Sequence, residues 1–141
     1  MTIKLMNLHG SPYLGIFCSV TDDVALIPEF VEAKEEKKIG EALGVETIPL
    51  RLADSHLLGV LARGVGKKFV LANCVNEDEV QFLNDAGIET LVLDQTSAIG
   101  NLLTLNKEAG IISPVIGMRE REMIEAFLEK KLYPMRVAKS D

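Results

Sequence analysis

The sequence predicts an α+β fold built from ββαβ units repeated about a common axis, and three observations predict it. The first is an internal repeat. The stretches Leu14–Pro28, Leu58–Asn73 and Ile99–Pro114 each open on an apolar residue and a glycine, and Gly15, Gly59 and Gly100 lie 44 and 41 residues apart. A period of that length marks architectures that stack one supersecondary unit on the next. The second is the order of periodicities within each stretch: two short apolar runs around a polar turn, then a segment with helical spacing. The third is a closing run rich in Val, Ile, Leu and Thr, residues that suit a pleated, half-buried surface.

Taken in order, Ile3–Leu8 stands before Gly15 as Thr47–Leu52 stands before Gly59, so it reads as a closing strand without a unit of its own. In a closed ring such a strand completes the last unit and latches the circle. Three repeats follow, 11–54, 55–97 and 98–141, within a single domain, 1–141. Their turns are Thr21-Asp22-Asp23, Gly64-Val65-Gly66-Lys67-Lys68 and Asn106-Lys107-Glu108. Helices are expected over Lys34–Leu43, Glu77–Ala86 and Met118–Lys130. Their apolar stripes are Ile39, Ala42 and Leu43; Val80 and Leu83; and Ile124, Phe127 and Leu128. Asn76 followed by Glu79 is a capping-box pattern, and Gly44 and Gly87 stand where a helix needs a left-handed end. Pro49 and Pro134 suggest sheet edges or bulges in the third strands, because proline donates nothing to a ladder. The repeat glycines have a packing reason: backbones converge at the axis, where a side chain would collide.

Composition narrows the function classes. Hydrophobic residues make up 48% of the 141 residues, enough to bury a core, and no apolar run approaches the roughly 20 residues of a membrane helix. Fifteen Lys and Arg against 21 Asp and Glu give a net charge of −6, which disfavours binding to nucleic-acid phosphates. Little direct nucleic-acid binding and no membrane partner are therefore expected. Cys18 and Cys74 are too few for a disulfide framework and read as reduced thiols packed in the core of a cytoplasmic protein.

Neither a catalytic nor a cofactor site emerges. Gly64-Val65-Gly66-Lys67-Lys68 lacks the G-x-x-x-x-G-K-[ST] spacing of a phosphate loop and reads as a hairpin turn with two solvated lysines. Two His and two Cys never pair at metal-ligand spacing, so no metal is expected. His9 reads as a turn residue and His56 as rim or core packing. The charge clusters Glu32–Lys38 and Arg119–Glu125 read as solvated helix faces laced with i,i+4 pairs.

The motifs Gly10–Phe17, Ala42–Leu50 and Ser97-Ala98-Ile99-Gly100-Asn101 with Asn106 resemble the translation initiation factor 6 family, especially its archaeal members, over nearly the whole chain. That resemblance implies a pentein-type β/α propeller with a pseudo-fivefold axis, of which this chain carries three ββαβ repeats plus an N-terminal strand. The family has five modules, so a homo-oligomer or further C-terminal modules would complete the ring. It also implies a non-enzymatic, cytoplasmic factor that needs no cofactor. Such a factor binds the large ribosomal subunit through a ribosomal protein, keeps the small subunit from docking and assists large-subunit maturation. Other proteins of this fold are guanidine-modifying hydrolases with a Cys nucleophile, so Cys18 and Cys74 beside His9 and His56 make the alternative, either such an enzyme or an inactive relative. The expected ribosome-binding face comprises Leu14, Gly15, Leu58, Val60 and Asn101 around the repeat glycines. Asn101 is polar where the other units have Ile16 and Val60, a break in local pattern expected at a site.

Overall fold

A computed structural model describes residues 3–139 and shows three three-stranded sheets with the same topology. Met1, Thr2, Ser140 and Asp141, the outer ends of the 1–141 span, lie outside the described residues. Unit 1 contains α1 (Leu14–Phe17), β1 (Ser19–Val20), β2 (Val24–Pro28), α2 (Ala33–Leu43) and β3 (Glu46–Leu50). Unit 2 contains α3 (Leu58–Leu61), β4 (Ala62–Val65), β5 (Lys68–Leu71), α4 (Glu77–Asp85) and β6 (Glu89–Val92). Unit 3 contains α5 (Ile99–Leu102), β7 (Leu103–Leu105), β8 (Ala109–Ile112), α6 (Met118–Leu128) and β9 (Lys131–Pro134). In each, the first two strands form an antiparallel hairpin and the helix crosses over to a third strand parallel to the second.

The second strand sits in the middle of its sheet, and in units 1 and 2 it has its own helix on one side and the next unit on the other. There it is apolar on both faces, and all of β2 is buried. The third strands lie at sheet edges, as Pro49 and Pro134 require. Gly44 caps α2 at φ 68° and Gly87 follows α4 at φ 84°, the left-handed conformation that glycine adopts without cost. The strand–strand–helix–strand order of the sequence reading stands, with two corrections. The repeat glycines do not open strands: each lies in a one-turn helix, α1, α3 or α5, that precedes the first strand. Residues 3–7 form no strand, and of the expected strand Leu8 alone pairs, in an isolated bridge to Ser11.

The three helical turns pack side by side, α1 against α3 and α3 against α5, and the first strands follow, β1 against β4 and β4 against β7. These elements line the axis, while α2, α4 and α6 cover the outer sides of their sheets. A Cβ on Gly59 would stand 1.8 Å from the Gly15 carbonyl oxygen, and one on Gly100 would stand 1.9 Å from that of Gly59. Only glycine allows that approach. Hydrogen bonds tie the same seams: Ser19 Oγ donates to the Ala62 carbonyl at 2.8 Å, Thr21 Oγ1 to the Gly66 carbonyl at 2.7 Å, and the Arg63 guanidinium to the Gly100 carbonyl.

The apolar core is divided by the same repeat. One cluster joins Val24, Leu26, Ile48 and Leu50 of unit 1 to Leu58, Phe69, Leu71 and Leu83 of unit 2. A second joins Val70 and Leu93 of unit 2 to Ile99, Ile112, Ile124 and Leu132 of unit 3. Each such buried side chain contributes about 1.5–3 kcal/mol, so the units are held chiefly by cores they share. The third cluster, Leu8, Ala25, Ile27, Val31 and Ile39, lies within unit 1 and the segment leading into it. Of the expected stripe on α2, only Ile39 is buried; Ala42 and Leu43 are exposed.

A carboxylate at the third position of a helix locks each seam from outside. Glu79 completes the capping box with Asn76 and also accepts the Ala53 amide at 2.9 Å. Glu120 accepts the amides of Asp94 and Gln95 at 3.0 and 2.8 Å and the Thr96 hydroxyl at 2.5 Å. The Arg119–Glu125 cluster is therefore not wholly solvated, since Glu120 is only 5% exposed. Lys37–Glu41 and Arg121–Glu125 do form i,i+4 pairs. Lys67 is exposed in the second hairpin turn, but Lys68 is half-buried and donates to the Phe127 carbonyl at 3.1 Å.

Two outcomes follow for stability. Gly100→Ala should destabilise the chain by about 3 kcal/mol or more in urea unfolding, because the methyl meets backbone that cannot rotate away. Burial acts against the Glu120 carboxylate, but its bonds from Thr96, Gln95 and Asp94 outweigh that and lower its pKa from the ordinary value. Its contribution is thus fully present above the unfolded-state carboxylate pKa and is lost as pH falls through the lower folded value. Glu120→Gln should cost about 2 kcal/mol at pH 7 and flatten that acid limb in unfolding curves measured from pH 7 to 3.

Candidate functional site

The ends of β2 and β3, the starts of β1 and the one-turn helices all fall at one end of the axis, as the parallel β2–β3 and antiparallel β1–β2 registers require. At this end α1, α3 and α5 lie in a row. The residue after each glycine points outward: Ile16 is 41% exposed, Val60 is half-buried and Asn101 is exposed. The residue before each glycine points inward. Leu58 is 0% exposed and belongs to the core, so it is withdrawn from the expected face; Ile99 is likewise buried, and Leu14 is half-buried. A helical turn explains the difference, since its successive side chains diverge by about 100° rather than lying on one surface. Gly15 is exposed at the end of the row and Gly59 is enclosed within it.

The face gains residues that the sequence reading passed over. Tyr13 and Leu57, each preceding a helical turn, are exposed and extend the apolar surface beside Ile16 and Val60. Asn101 makes no side-chain hydrogen bond among the described residues, so its amide is open on both the donor and acceptor sides. Ile16 was recognisable as the counterpart of Val60 and Asn101; the exposure of Tyr13 and Leu57 depends on the helical turn, which four residues of strand-like composition do not announce.

At the rim, Phe30 holds both histidines. His9, in a left-handed turn at φ 47°, stacks on Phe30 with ring centroids 3.9 Å apart, and His56 meets the same ring edge-on at 4.9 Å. Glu29 lies beside them, paired with Arg51 at 2.9 Å and 3.9 Å from His56 Nε2. Both histidines are thus packing residues. The opposite end of the axis carries the hairpin turns: a cavity of about 710 Å³ there is lined by Thr21, Asp22, Asn106, Lys107 and Glu108 together with the apolar Val20, Leu43, Val45, Val65 and Leu105, and Lys107 and Asp22 pair across it at 3.1 Å. No group of three or more His, Cys, Asp or Glu among the described residues could hold a metal ion, and no described helix is long and apolar enough to cross a membrane.

The sequence model of the eIF-6 family matches residues 3–141. Translation initiation factor 6 of Methanothermobacter thermautotrophicus is 37% identical over 128 residues, covering 90% of this chain and 58% of the relative. The factors of the same name from Methanocorpusculum labreanum and Pyrococcus horikoshii are 33% and 31% identical, each over 135 residues and 60% of the relative, covering 94% and 91% of this chain. The chain spans about three fifths of the length of these relatives. Among solved structures, agmatine deiminase of C. jejuni aligns over 85% of this chain and 49% of its own, with a TM-score of 0.53 at 15% identity, a likeness of fold.

The thiols separate by environment. Both cysteines are free, but Cys74 is exposed rather than packed in the core, where the sequence reading placed it. Cys18 is half-buried, and desolvation pushes its pKa up to about 11, which leaves almost no thiolate at neutral pH. Iodoacetamide at pH 7.5 should therefore alkylate Cys74 first, with Cys18 slower by about tenfold or more, read by mass spectrometry.

Proposed function

The chain belongs to the eIF-6 family, and from that premise we propose that it docks on the large ribosomal subunit through a ribosomal protein and sterically keeps the small subunit away. Its relatives are named translation initiation factors, which supports a role in protein synthesis. The single observation that carries the docking site is the row Ile16, Val60 and Asn101, directed outward from three adjacent helical turns, with Val60 half-buried between the exposed Ile16 and Asn101. Tyr13 and Leu57 widen this row into a low-charge patch on a chain of net charge −6. A patch of this kind suits a protein surface; the acidic remainder repels RNA phosphates. The same site serves large-subunit maturation by holding that face closed to the small subunit until assembly is complete. The chain acts in the cytoplasm, by binding and not by catalysis. The protonated Cys18 thiol and the packed histidines support that reading over a thiol hydrolase.

Asn101 supplies the polar anchor. Its free amide offers a donor and an acceptor to the partner's backbone. Asn101→Ala leaves the partner groups unpaired at a cost of about 1–3 kcal/mol, or roughly a five- to hundredfold loss of affinity. Ile16→Asp should weaken docking by desolvating a charge. Co-sedimentation with purified large subunits is the assay, with Glu36→Ala as a distant control. Binding of Asn101→Ala and Ile16→Asp at parental strength, with both variants folded, would take the site off this face.

A further inference from the structure

The outer flank of the seam between units 1 and 2 differs from its counterpart between units 2 and 3 in the sign of one charge. At the second position of α6 stands Arg119, whose guanidinium pairs with Asp94 of unit 2 at 3.7 Å. Lys34 holds the same position in α2. In α4 the position is Asp78, which lines a groove of about 280 Å³ with Asp54, Phe82, Pro49 and Arg51. Arg51 is already paired with Glu29 at 2.9 Å, and Glu79 is engaged by the amides of Ala53 and Asn76. The carboxylates of Asp54 and Asp78 have no ion pair or hydrogen bond among the described residues. Phe82 stands 49% exposed beside them, at a position that is Lys38 in α2 and Met123 in α6. The groove thus carries charge that its counterpart neutralises from within.

One wall of the groove is the free edge of β3. The Glu29 amide donates to the Leu50 carbonyl at 3.2 Å, which sets the alternation: Ile48 and Leu50 turn their backbone groups to β2, while Pro49 and Arg51 turn theirs to the edge. Neither the Pro49 carbonyl nor the Arg51 amide makes a backbone hydrogen bond among the described residues. We infer that the groove between β3 and α4 takes an extended peptide segment of a partner protein, laid parallel to β3, with one Lys or Arg directed at Asp54, Asp78 and Phe82. Opposite Leu50, the basic residue donates its amide to the Pro49 carbonyl and accepts the Arg51 amide, so the donor that proline lacks is never needed. Its side chain then falls on the Leu50 side of the sheet, where Leu50 packs with Leu83 of α4. There the cation meets two carboxylates and the face of an aromatic ring, the place that Arg119 fills at the next seam. The groove includes none of the residues of the proposed ribosomal face, so neither Asn101 nor a ribosomal subunit enters its test.

The probes are acetylated, amidated pentapeptides of Thr and Val with Arg, Lys, Gln or Glu at the centre, titrated into the isotope-labelled chain to about 5 mM and followed by amide chemical shifts. The Arg and Lys peptides should move the signals of Arg51, Asp54, Asp78 and Phe82. The Gln peptide should bind about fivefold more weakly, and the Glu peptide should move none of these signals. Methylating the backbone nitrogen of the central Arg should cost about fivefold or more, by removing the donor to Pro49. Asp78→Lys supplies from within the charge that Lys34 supplies in α2; it should melt within about 5 °C of the parent and bind the Arg peptide about tenfold more weakly. Asp54→Asn and Phe82→Ala should each weaken it about threefold, and Glu122→Ala on α6 should change nothing. Failure of the Arg and Lys peptides to bind the parent, or binding of the Glu peptide at the same site, would overturn the inference. So would full affinity in the folded Asp78→Lys and Asp54→Asn variants. Undiminished binding of the methylated peptide would overturn the strand geometry. A dimer of the parent that Asp78→Lys dissociates would assign the groove to a second copy and overturn the occupant.

Discussion

The whole arrangement depends on one contact, a glycine Cα set against the carbonyl of the glycine-bearing turn before it. Because the separation leaves no room for a methyl, the helical turns are drawn together until their first strands touch along the axis. The sheets then fan outward from that line, and the middle strands β2 and β5 are enclosed by their own helices and the following unit. The shared cores, the edge positions of the third strands and the outward direction of Ile16, Val60 and Asn101 all follow from how closely those backbones approach. A contact of this kind is also directional. It fixes which end of every unit faces the same way, and so gathers the one-turn helices at one end and the hairpin turns at the other.

Electrostatics reinforce that sidedness. The end with the hairpin turns has Lys107 and Asp22 paired across the cavity. The end with the one-turn helices keeps its charges at the rim, where Glu29 and Arg51 neutralise each other beside the stacked His9 and Phe30. Between them the carboxylates of Glu79 and Glu120 draw backbone amides of one unit onto the helix of the next. A chain with a net charge of −6 thereby presents a surface with little charge where its partner is proposed to sit.

Much of the fold was legible because the repeat wrote it three times. Gly15, Gly59 and Gly100 marked the axis, Asn76 and Glu79 the start of a helix, and Gly44 and Gly87 the ends of two. The parts that escaped reading were those that neighbours decide. Four-residue turns such as Leu58–Leu61 carry the composition of strands, and tertiary contact alone makes them helical. That turn is what reversed Leu58 from surface to core. Ile3–Leu8 has the composition of a strand, yet a strand exists only against a partner. Glu120 looked like one more charge on a solvated face, because nothing in its surroundings on the chain reveals the three donors that converge on it from residues 94–96. The candidate face was legible in part: Asn101 and Val60 are at its surface, and Tyr13 and Leu57 became visible only once the turns were known.

The glycine seam is written in main-chain atoms, and main-chain atoms are anonymous. Gly59 meets unit 1 as Gly100 meets unit 2, through a carbonyl that any residue would offer. The joint therefore cannot tell one unit from another, and it places almost no demand on the side chains around it beyond being apolar. Order is kept by the tether: six or seven residues separate β3 from α3 and β6 from α5, too few to let a unit bypass its neighbour. Freed from any duty of recognition at the seams, the units can drift apart in sequence while their geometry stays fixed. One of them can place a polar Asn101 where its siblings keep Ile16 and Val60, acquiring individuality at the surface without disturbing the joint beneath.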